Sequence, residues 1–225
     1  MTTNKHDVIT LDGPAGSGKS TIAKRIAKRL GYAFLDTGAM YRAATWWALH
    51  QGVDMNDAEA LLDSTQAIPL VMEERDTGLY VAVDGQDVSE AIRTPDVTNA
   101  IKKLDGIAGV RAKMVELQQQ IGAQRPTVAD GRDMGTVVFP NARCKFFVDA
   151  SLEERTRRRA EELMAKGIEF DAEALKLDIH MRDENDRNRS IAPLRPAEDA
   201  HIIDTSALSL EEVEAQVLSI IEASS

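Results

Sequence analysis

The run VITLDGPAGSGKST, from Val8 to Thr21, decides the fold of this 225-residue chain. It begins with a short apolar run that ends at Asp12. After the run, apolar residues recur at helical spacing, at Ile22, Ile26 and Leu30. Between these segments, residues 13–20 match G-x-x-x-x-G-K-[ST] at every fixed position. A strand, a glycine-rich loop and a helix in this order predict a loop that binds the phosphates of a nucleoside triphosphate.

The residue types of this loop suit phosphate chemistry. Glycines let backbone N–H groups turn towards phosphates, and the new helix adds its positive N-terminal end. Lys19 is predicted to reach the terminal phosphates, and the Ser20 hydroxyl is predicted to ligate Mg²⁺. The alternative is a glycine-rich surface turn, and the strand and helix patterns on either side argue against it. The predicted nucleotide-binding residues are Gly13, Pro14, Ala15, Gly16, Ser17, Gly18, Lys19, Ser20 and Thr21.

Composition places limits on the class of protein. The hydrophobic content of 43% and the charged content of 28% are ordinary for a soluble globular protein. No apolar run approaches the roughly 20 residues of a membrane span, and residues 1–7 lack a signal-peptide core. The single cysteine, Cys144, is expected to pack within a strand in a reducing cytoplasm. The net charge of −10 argues against nucleic-acid binding, so cations for anionic substrates must be gathered locally.

Apolar runs alternate with helical patterns along most of the chain. Five runs are predicted as strands, at residues 8–11, 32–35, 127–130, 145–149 and 201–204. Helices are predicted at 19–31, 39–50, 53–66, 95–124, 152–166 and 172–189, and from 209 onward. This alternation predicts an α/β fold of the P-loop NTPase type, with a doubly wound five-stranded parallel sheet and helices on both faces. Ligands then bind at the carboxyl ends of the strands, where four aspartates should cluster: Asp12, Asp36, Asp130 and Asp149.

One segment departs from the alternating pattern. Short strand-like runs at 70–72 and 79–83 and at Val88 are separated by turn formers at 76–78 and 84–85. An antiparallel hairpin inside an alternating chain predicts a small inserted subdomain at about 68–95 within a single domain.

Three further stretches could carry chemistry. Arg132 and Asp133 follow an apolar run, where arginine can bind phosphate and aspartate can accept a hydrogen bond from an amino or hydroxyl group; a polar turn is the alternative. Arginines cluster near the start of a predicted helix. Positive charge at this end opposes the helix dipole, which favours a functional role. The alternative is a solvated face on which the arginines pair with glutamates. These arginines are Arg155, Arg157, Arg158 and Arg159. Arg182, Asp186 and Arg189 share one helical face, as a ligand site or as an ion-pair ladder.

Other classes of site are disfavoured. Asn4–Asp7 spells the guanine-reading N-K-x-D, but it precedes the glycine-rich loop and no D-x-x-G occurs, so a regulatory GTPase is not expected. The four histidines show no metal-ligand spacing. Trp46 is predicted to belong to the core.

Four stretches together resemble the bacterial cytidylate kinases. They are Gly13–Thr21, Asp36–Arg42 (DTGAMYR), Ala129–Pro140 (ADGRDMGTVVFP) and Arg182–Leu194 (RDENDRNRSIAPL). The hairpin-rich insertion also resembles the extended subdomain of these enzymes. The resemblance implies a nucleoside monophosphate kinase that uses ATP and Mg²⁺ to convert CMP or dCMP to CDP or dCDP.

The resemblance also implies roles for individual residues. Thr37 and Tyr41 line the acceptor site, and Arg42, Arg111 and Arg132 bind the CMP phosphate. Asp133 and Arg189 read cytosine, and Arg182 and Asp186 hold the sugar. Arg157 and Arg158 are lid arginines in a segment at about 151–168, and with Lys19 and Arg132 they form the catalytic set. Lys102 stands where a base-contacting serine is expected.

These expectations describe a monomeric cytoplasmic enzyme with ATP and CMP or dCMP as partners. Because the acceptor phosphate is already nucleophilic, no general base is required. The alternatives are a kinase that prefers UMP or AMP, and an ATP-binding module without transferase activity.

Overall fold

The computed structural model describes residues 7–75 and 78–224. Its strands β1 to β8 are Val8–Asp12, Ala33–Asp36, Leu70–Arg75, Gly78–Val83, Gln86–Asp87, Thr127–Gly131, Cys144–Asp149 and His201–Asp204. Its helices α1 to α8 are Lys19–Leu30, Thr37–His50, Ala58–Gln66, Pro95–Leu104, Ala108–Gly122, Leu152–Ala165, Ala172–Arg187 and Leu210–Ala223. The chain divides into two compact units: one holds the chain up to Leu35 and from Gly122 onward, and the other is Asp36–Ile121.

The five predicted strands form one sheet, in the order β2-β6-β1-β7-β8. β1 pairs in parallel with β6 on one side and β7 on the other, and β7 pairs in parallel with β8. β1 is the central strand of this sheet, and its residues Ile9 and Leu11 are completely buried. The non-consecutive order requires helical crossovers, so the predicted doubly wound fold is confirmed. The carboxyl end of β1 therefore opens between the ends of two neighbouring strands.

Helix ends follow the local sequence signals. Gly31 ends α1 in the left-handed conformation, with φ of 68°, where a residue with a side chain would be strained. Ser209 and Glu212 form a capping box at the start of α8, as their spacing predicts. The apolar faces of α1 and α8 pack with β1 and β7 in the core of this unit, through Ile22, Ile26, Val213 and Val217.

The unit Asp36–Ile121 contains the predicted hairpin. β3, β4 and β5 form an antiparallel sheet, and the β4–β5 turn places Asp84 and Gly85 at φ of 51° and 75°. Two positive φ angles match the right-handed twist of a tight hairpin, which explains Asp-Gly at this turn. The other predicted turn includes residues 76 and 77, which lie outside the described residues. The core of this unit includes Val81, Val83, Val88 and Ile92, and Trp46 packs against it as predicted.

Three helix predictions need correction. The helix predicted over 172–189 ends at Arg187 with Asn188 as its C-cap, so Arg189 follows the helix and does not lie on its face. The single helix predicted over 95–124 is two helices, α4 and α5, because the chain breaks at Asp105–Ile107, where Gly106 has low helix propensity. The helix predicted from residue 53 begins only at Ala58, because Asp57 is its N-cap and accepts from the amides of Glu59 and Ala60. Asp54 instead accepts from Asn56 in the preceding turn.

Cys144 is buried in β7, in agreement with its predicted packing role. In the part of the chain that the structure describes, no helix is long and apolar enough to cross a membrane. Residues 1–6 lie outside that part. The expectations that the N-terminus is not a signal peptide and that the N-K-x-D motif does not read guanine therefore stay predictions.

Candidate active site

The glycine-rich loop connects the carboxyl end of β1 to the first turn of α1. Gly13 has φ of 153°, and a Cβ placed there would lie 2.0 Å from the carbonyl oxygen of Val148, so no larger residue fits. Gly18 begins α1 in the left-handed conformation. Among the described residues, α1 has no side-chain cap and no acid in its first turn. Its first N–H groups and its positive end are therefore suited to an anion.

Lys19 lies where the sequence predicts a phosphate-binding lysine. Its side chain is almost fully buried, and its ammonium donates to the Pro14 carbonyl at 3.1 Å. It also lies 3.9 Å from a carboxylate oxygen of Asp130, at the end of β6. The ammonium is therefore held between the loop and a neighbouring strand.

Asp12 joins β1 to the segment that follows β6. Its two carboxylate oxygens accept from the amides of Met134 and Gly135, each at 2.8 Å. Residues 134–138 form a short π-helical turn directly after Arg132 and Asp133. Burial, together with the nearby carboxylates of Asp133 and Asp130, raises the pKa of Asp12 to about 7, although the hydrogen bonds from the two amides lower it. Of the four aspartates predicted to cluster at this edge, Asp12 and Asp130 are close enough to interact, and Asp133, which was not among the four, also interacts with Asp12.

Arg132 pairs with Asp186, which lies 54 positions later on α7. Its Nε donates to Asp186 Oδ2 at 2.8 Å, and Arg189 Nη1 lies 3.9 Å from the other carboxylate oxygen. Burial disfavours the charge on both partners, but their mutual attraction outweighs it, raising the pKa of Arg132 and lowering that of Asp186. Arg182 also lowers the pKa of Asp186. The interactions of Asp186 therefore extend beyond an intrahelical ladder to the Arg132 segment.

The arginines of α6 have different surroundings. Arg157 pairs with Glu154 and Glu161 on an exposed face, and Arg159 pairs with Glu162. These two match the alternative of a solvated face paired with glutamates. Hydrogen bonds, first from Arg157 and then from Arg158, lower the pKa of Glu154 to about 2.

Arg158 and Arg155, in contrast, contact structure around the glycine-rich loop. The Arg158 guanidinium donates to Glu154, to the hydroxyl of Thr205 at 3.0 Å and to the carbonyl of Thr205 at 2.7 Å. The Thr205 hydroxyl lies 3.0 Å from the Ser17 carbonyl and can donate to it. The sequence therefore predicts the cluster but not which of its members face the loop.

The remaining predicted acceptor residues belong to the unit Asp36–Ile121. Thr37 is buried at the first position of α2, where Asp36 caps the helix by accepting from the Ala39 amide. Arg42 lies 3.5 Å from Asp36. Arg111 is buried on α5, 5.8 Å from the centre of the Tyr41 ring. Lys102 is exposed on α4.

Two buried residues of this region were not among the predicted site residues. Thr205 links Arg158 to the loop, and Asp183 pairs with Arg155. The sequence offers a weak signal for Thr205, which directly follows the last strand, and none for Asp183, since its partner is known only from the fold.

Comparison with known proteins decides the family. The model of the cytidylate kinase family matches residues 9–223. The chain belongs to the cytidylate kinase family. Family members are transferases that phosphorylate CMP with ATP as the donor. The assignment rests on nearly the whole length of the chain and agrees with the resemblance of its four motifs.

Curated cytidylate kinases are similar to this chain over almost their full length. The protein of Bacillus cytotoxicus is 46% identical over 97% of both chains. That of Enterococcus faecalis is 48% identical over 95% of both, and that of Pasteurella multocida is 44% identical over 96% of this chain and 95% of the relative.

Solved structures support the fold. An uncharacterized protein of Eubacterium ventriosum is 11% identical, with a TM-score of 0.53 over 97% of this chain and 99% of its own. A protein of Thermus thermophilus is 18% identical, with a TM-score of 0.50 over 98% of both chains.

Proposed function

We propose that this cytidylate kinase family member transfers the terminal phosphoryl group of MgATP to both CMP and dCMP, giving CDP and dCDP. The observation that carries the proposal is the meeting of two anion-binding elements at one sheet edge. The glycine-rich loop with Lys19 follows β1. The Arg132–Asp133 segment follows the adjacent strand β6, and Asp12 at the end of β1 accepts from the amides directly after this segment. A protein that only binds ATP has no need for a second cationic element at this position.

The donor half consists of Gly13–Thr21. Backbone amides of the loop and the N-terminus of α1 hold the phosphates, and Lys19 stabilises charge on the terminal phosphoryl group. Phosphate displaces the Pro14 carbonyl as the partner of the ammonium. Arg158, on the Thr205 side of the loop, and Arg157 add positive charge from the proposed lid segment 151–168.

Magnesium fits the donor set of this loop. Ser20 offers a hard hydroxyl oxygen on the first turn of α1, half-buried beside Lys19. In residues 7–75 and 78–224 no three His, Cys, Asp or Glu side chains form a metal-binding group. Such a donor set suits Mg²⁺, which takes most of its ligands from phosphates and water. When bound, the ion neutralises charge on the transferring phosphates.

The acceptor half divides its tasks among several residues. Arg42, Arg111 and Arg132 bind the monophosphate, and Thr37 and Tyr41 line its site. Asp133 and Arg189 recognise cytosine, and Arg182 and Asp186 hold the sugar. The Arg132–Asp186 pair supports this division, since one contact orients both a phosphate ligand and a sugar ligand. The monophosphate oxygen attacks directly, because it is already nucleophilic, and positioning with charge stabilisation supplies the catalysis.

A coupled assay of ADP release tests the proposal and its alternatives. With CMP, dCMP, UMP, AMP and dTMP as acceptors, we expect turnover to be fastest with CMP and dCMP. A strong preference for UMP or AMP would contradict the cytidylate specificity. ATP binding without any acceptor-dependent turnover would leave only the ATP-binding module.

We also propose a monomeric cytoplasmic enzyme that binds neither nucleic acid nor membranes. Its sequence has one cysteine, so no second thiol is present for an internal disulfide, and that cysteine is buried. Its net charge is −10. Light scattering on a size-exclusion column should give the mass of one chain, 24.7 kDa. A mass of twice that value would contradict the monomer.

A further inference from the structure

Arg155 is buried beneath the glycine-rich loop. Only 4% of its surface is exposed, and its guanidinium has three partners. Nε donates to the Ala150 carbonyl at 3.0 Å, Nη1 donates to the Ala15 carbonyl at 3.3 Å, and Nη2 lies 2.6 Å from Asp183 Oδ2. A Cβ placed on Gly16 would lie 3.3 Å from the Arg155 Cβ, so the loop approaches this side chain closely. Arg155 therefore both packs against the loop and donates to its backbone.

Asp183, the partner of Arg155 in this ion pair, lies on α7. It is 2% exposed, and its second carboxylate oxygen has no hydrogen-bond partner in the described part of the chain. The same helix carries Arg182 and Asp186, which we propose as sugar ligands. A movement of Asp183 would therefore move these ligands.

We infer that Arg155 and Asp183 form a positioning pair that holds the glycine-rich loop and the acceptor-binding helix α7 in a fixed arrangement. The inference rests on the proposed function, because it takes the loop as the donor site and α7 as part of the acceptor site. The pair touches no reacting atom in this role. It connects the Ala15 carbonyl of the loop to α7 through a single planar guanidinium.

The energetics of buried ion pairs favour such a role over a purely stabilising one. Replacing both members of a buried pair with apolar residues is often neutral or stabilising, whereas removing one member leaves a costly unpaired charge. An apolar pair can therefore keep the fold while abolishing the directional contacts to the loop. Arginine is suited to the task because its rigid fork makes several hydrogen bonds in one plane.

The experiment separates stability from positioning. Steady-state kinetics and thermal unfolding are measured for wild type, Arg155→Lys, Asp183→Asn and the double variant Arg155→Met with Asp183→Leu. We expect the double variant to unfold close to the wild-type temperature, while its kcat/KM for CMP falls roughly 10- to 100-fold. Both single variants should raise the KM for CMP and for ATP, because Lys and Asn each keep only part of the contacts.

The matched control is an exposed ion pair of α6, Arg159 with Glu162. Arg159→Gln with Glu162→Gln should leave both KM values unchanged and shift the unfolding temperature by less than about 2 °C.

A double variant that folds with wild-type kinetics would overturn the inference. If it does not fold, wild-type KM values in both single variants would overturn it. Failure of the proposed function is a separate result, since wild type itself would then show no CMP-dependent turnover.

Discussion

At the scale of single residues, Asp12 combines two opposed requirements. Its carboxylate is needed as an acceptor for two amides, Met134 and Gly135, yet it lies almost without solvent. Burial raises its pKa to about 7, so the charged form is stabilised much less than in water. A hydrogen-bonding role for a buried aspartate directly before the glycine-rich loop is not visible in the sequence, because Met134 and Gly135 lie more than a hundred positions away.

The stability contribution of Asp12 should depend on pH. The unfolded chain releases this proton near pH 3.8 and the folded chain near pH 7, so the folded state holds the extra proton between these values. The stabilisation from that proton is full below the unfolded pKa and is lost as pH rises through 7. Against Asp12→Asn, the wild type should therefore lose stability by on the order of 1 kcal/mol per pH unit in this window. Urea unfolding of both proteins at pH 4.5–7.5 measures the difference, and a constant difference would contradict the raised pKa.

At the scale of elements, the start of α3 offers a direct comparison of two aspartates. Asp57 caps the helix through Glu59 and Ala60, whereas Asp54 bonds only within the preceding turn. Asp57→Ala should therefore lower the free energy of unfolding by about 1 kcal/mol. Asp54→Ala, an equally exposed matched control, should cost less. Chemical denaturation measures both, and equal losses would contradict the assignment of Asp57 as the cap of α3.

The strands could be predicted from the sequence because each is a short apolar run closed by a polar residue. Helix ends were less predictable, since the cap of α3, Asp57, lies three residues after the first candidate cap, Asp54, and Gly106 divides what the periodicity predicts as one helix. Local patterns cannot decide between Asp54 and Asp57 as the cap, because the choice depends on which backbone amides the fold brings within reach.

At the scale of the whole molecule, a chain of net charge −10 assembles cations beside its glycine-rich loop. The motifs and their resemblance predicted Lys19, Arg132 and Arg158 individually. They did not predict the pairing of Arg132 with Asp186, which lies 54 positions later, or that of Arg155 with Asp183, which meet through the packing of α6 against α7. The roles assigned to the site residues stay predictions until the nucleotides are measured.

The most direct test of the two-nucleotide site is calorimetric titration of ATP and CMP separately into Lys19→Ala and Asp133→Ala. Lys19→Ala should lose ATP affinity and turnover while keeping wild-type CMP affinity. Asp133→Ala should lose CMP affinity by roughly 10-fold or more while keeping ATP affinity, because we propose that its carboxylate recognises the acceptor base. Equal losses of both nucleotides in both variants would contradict separate donor and acceptor halves.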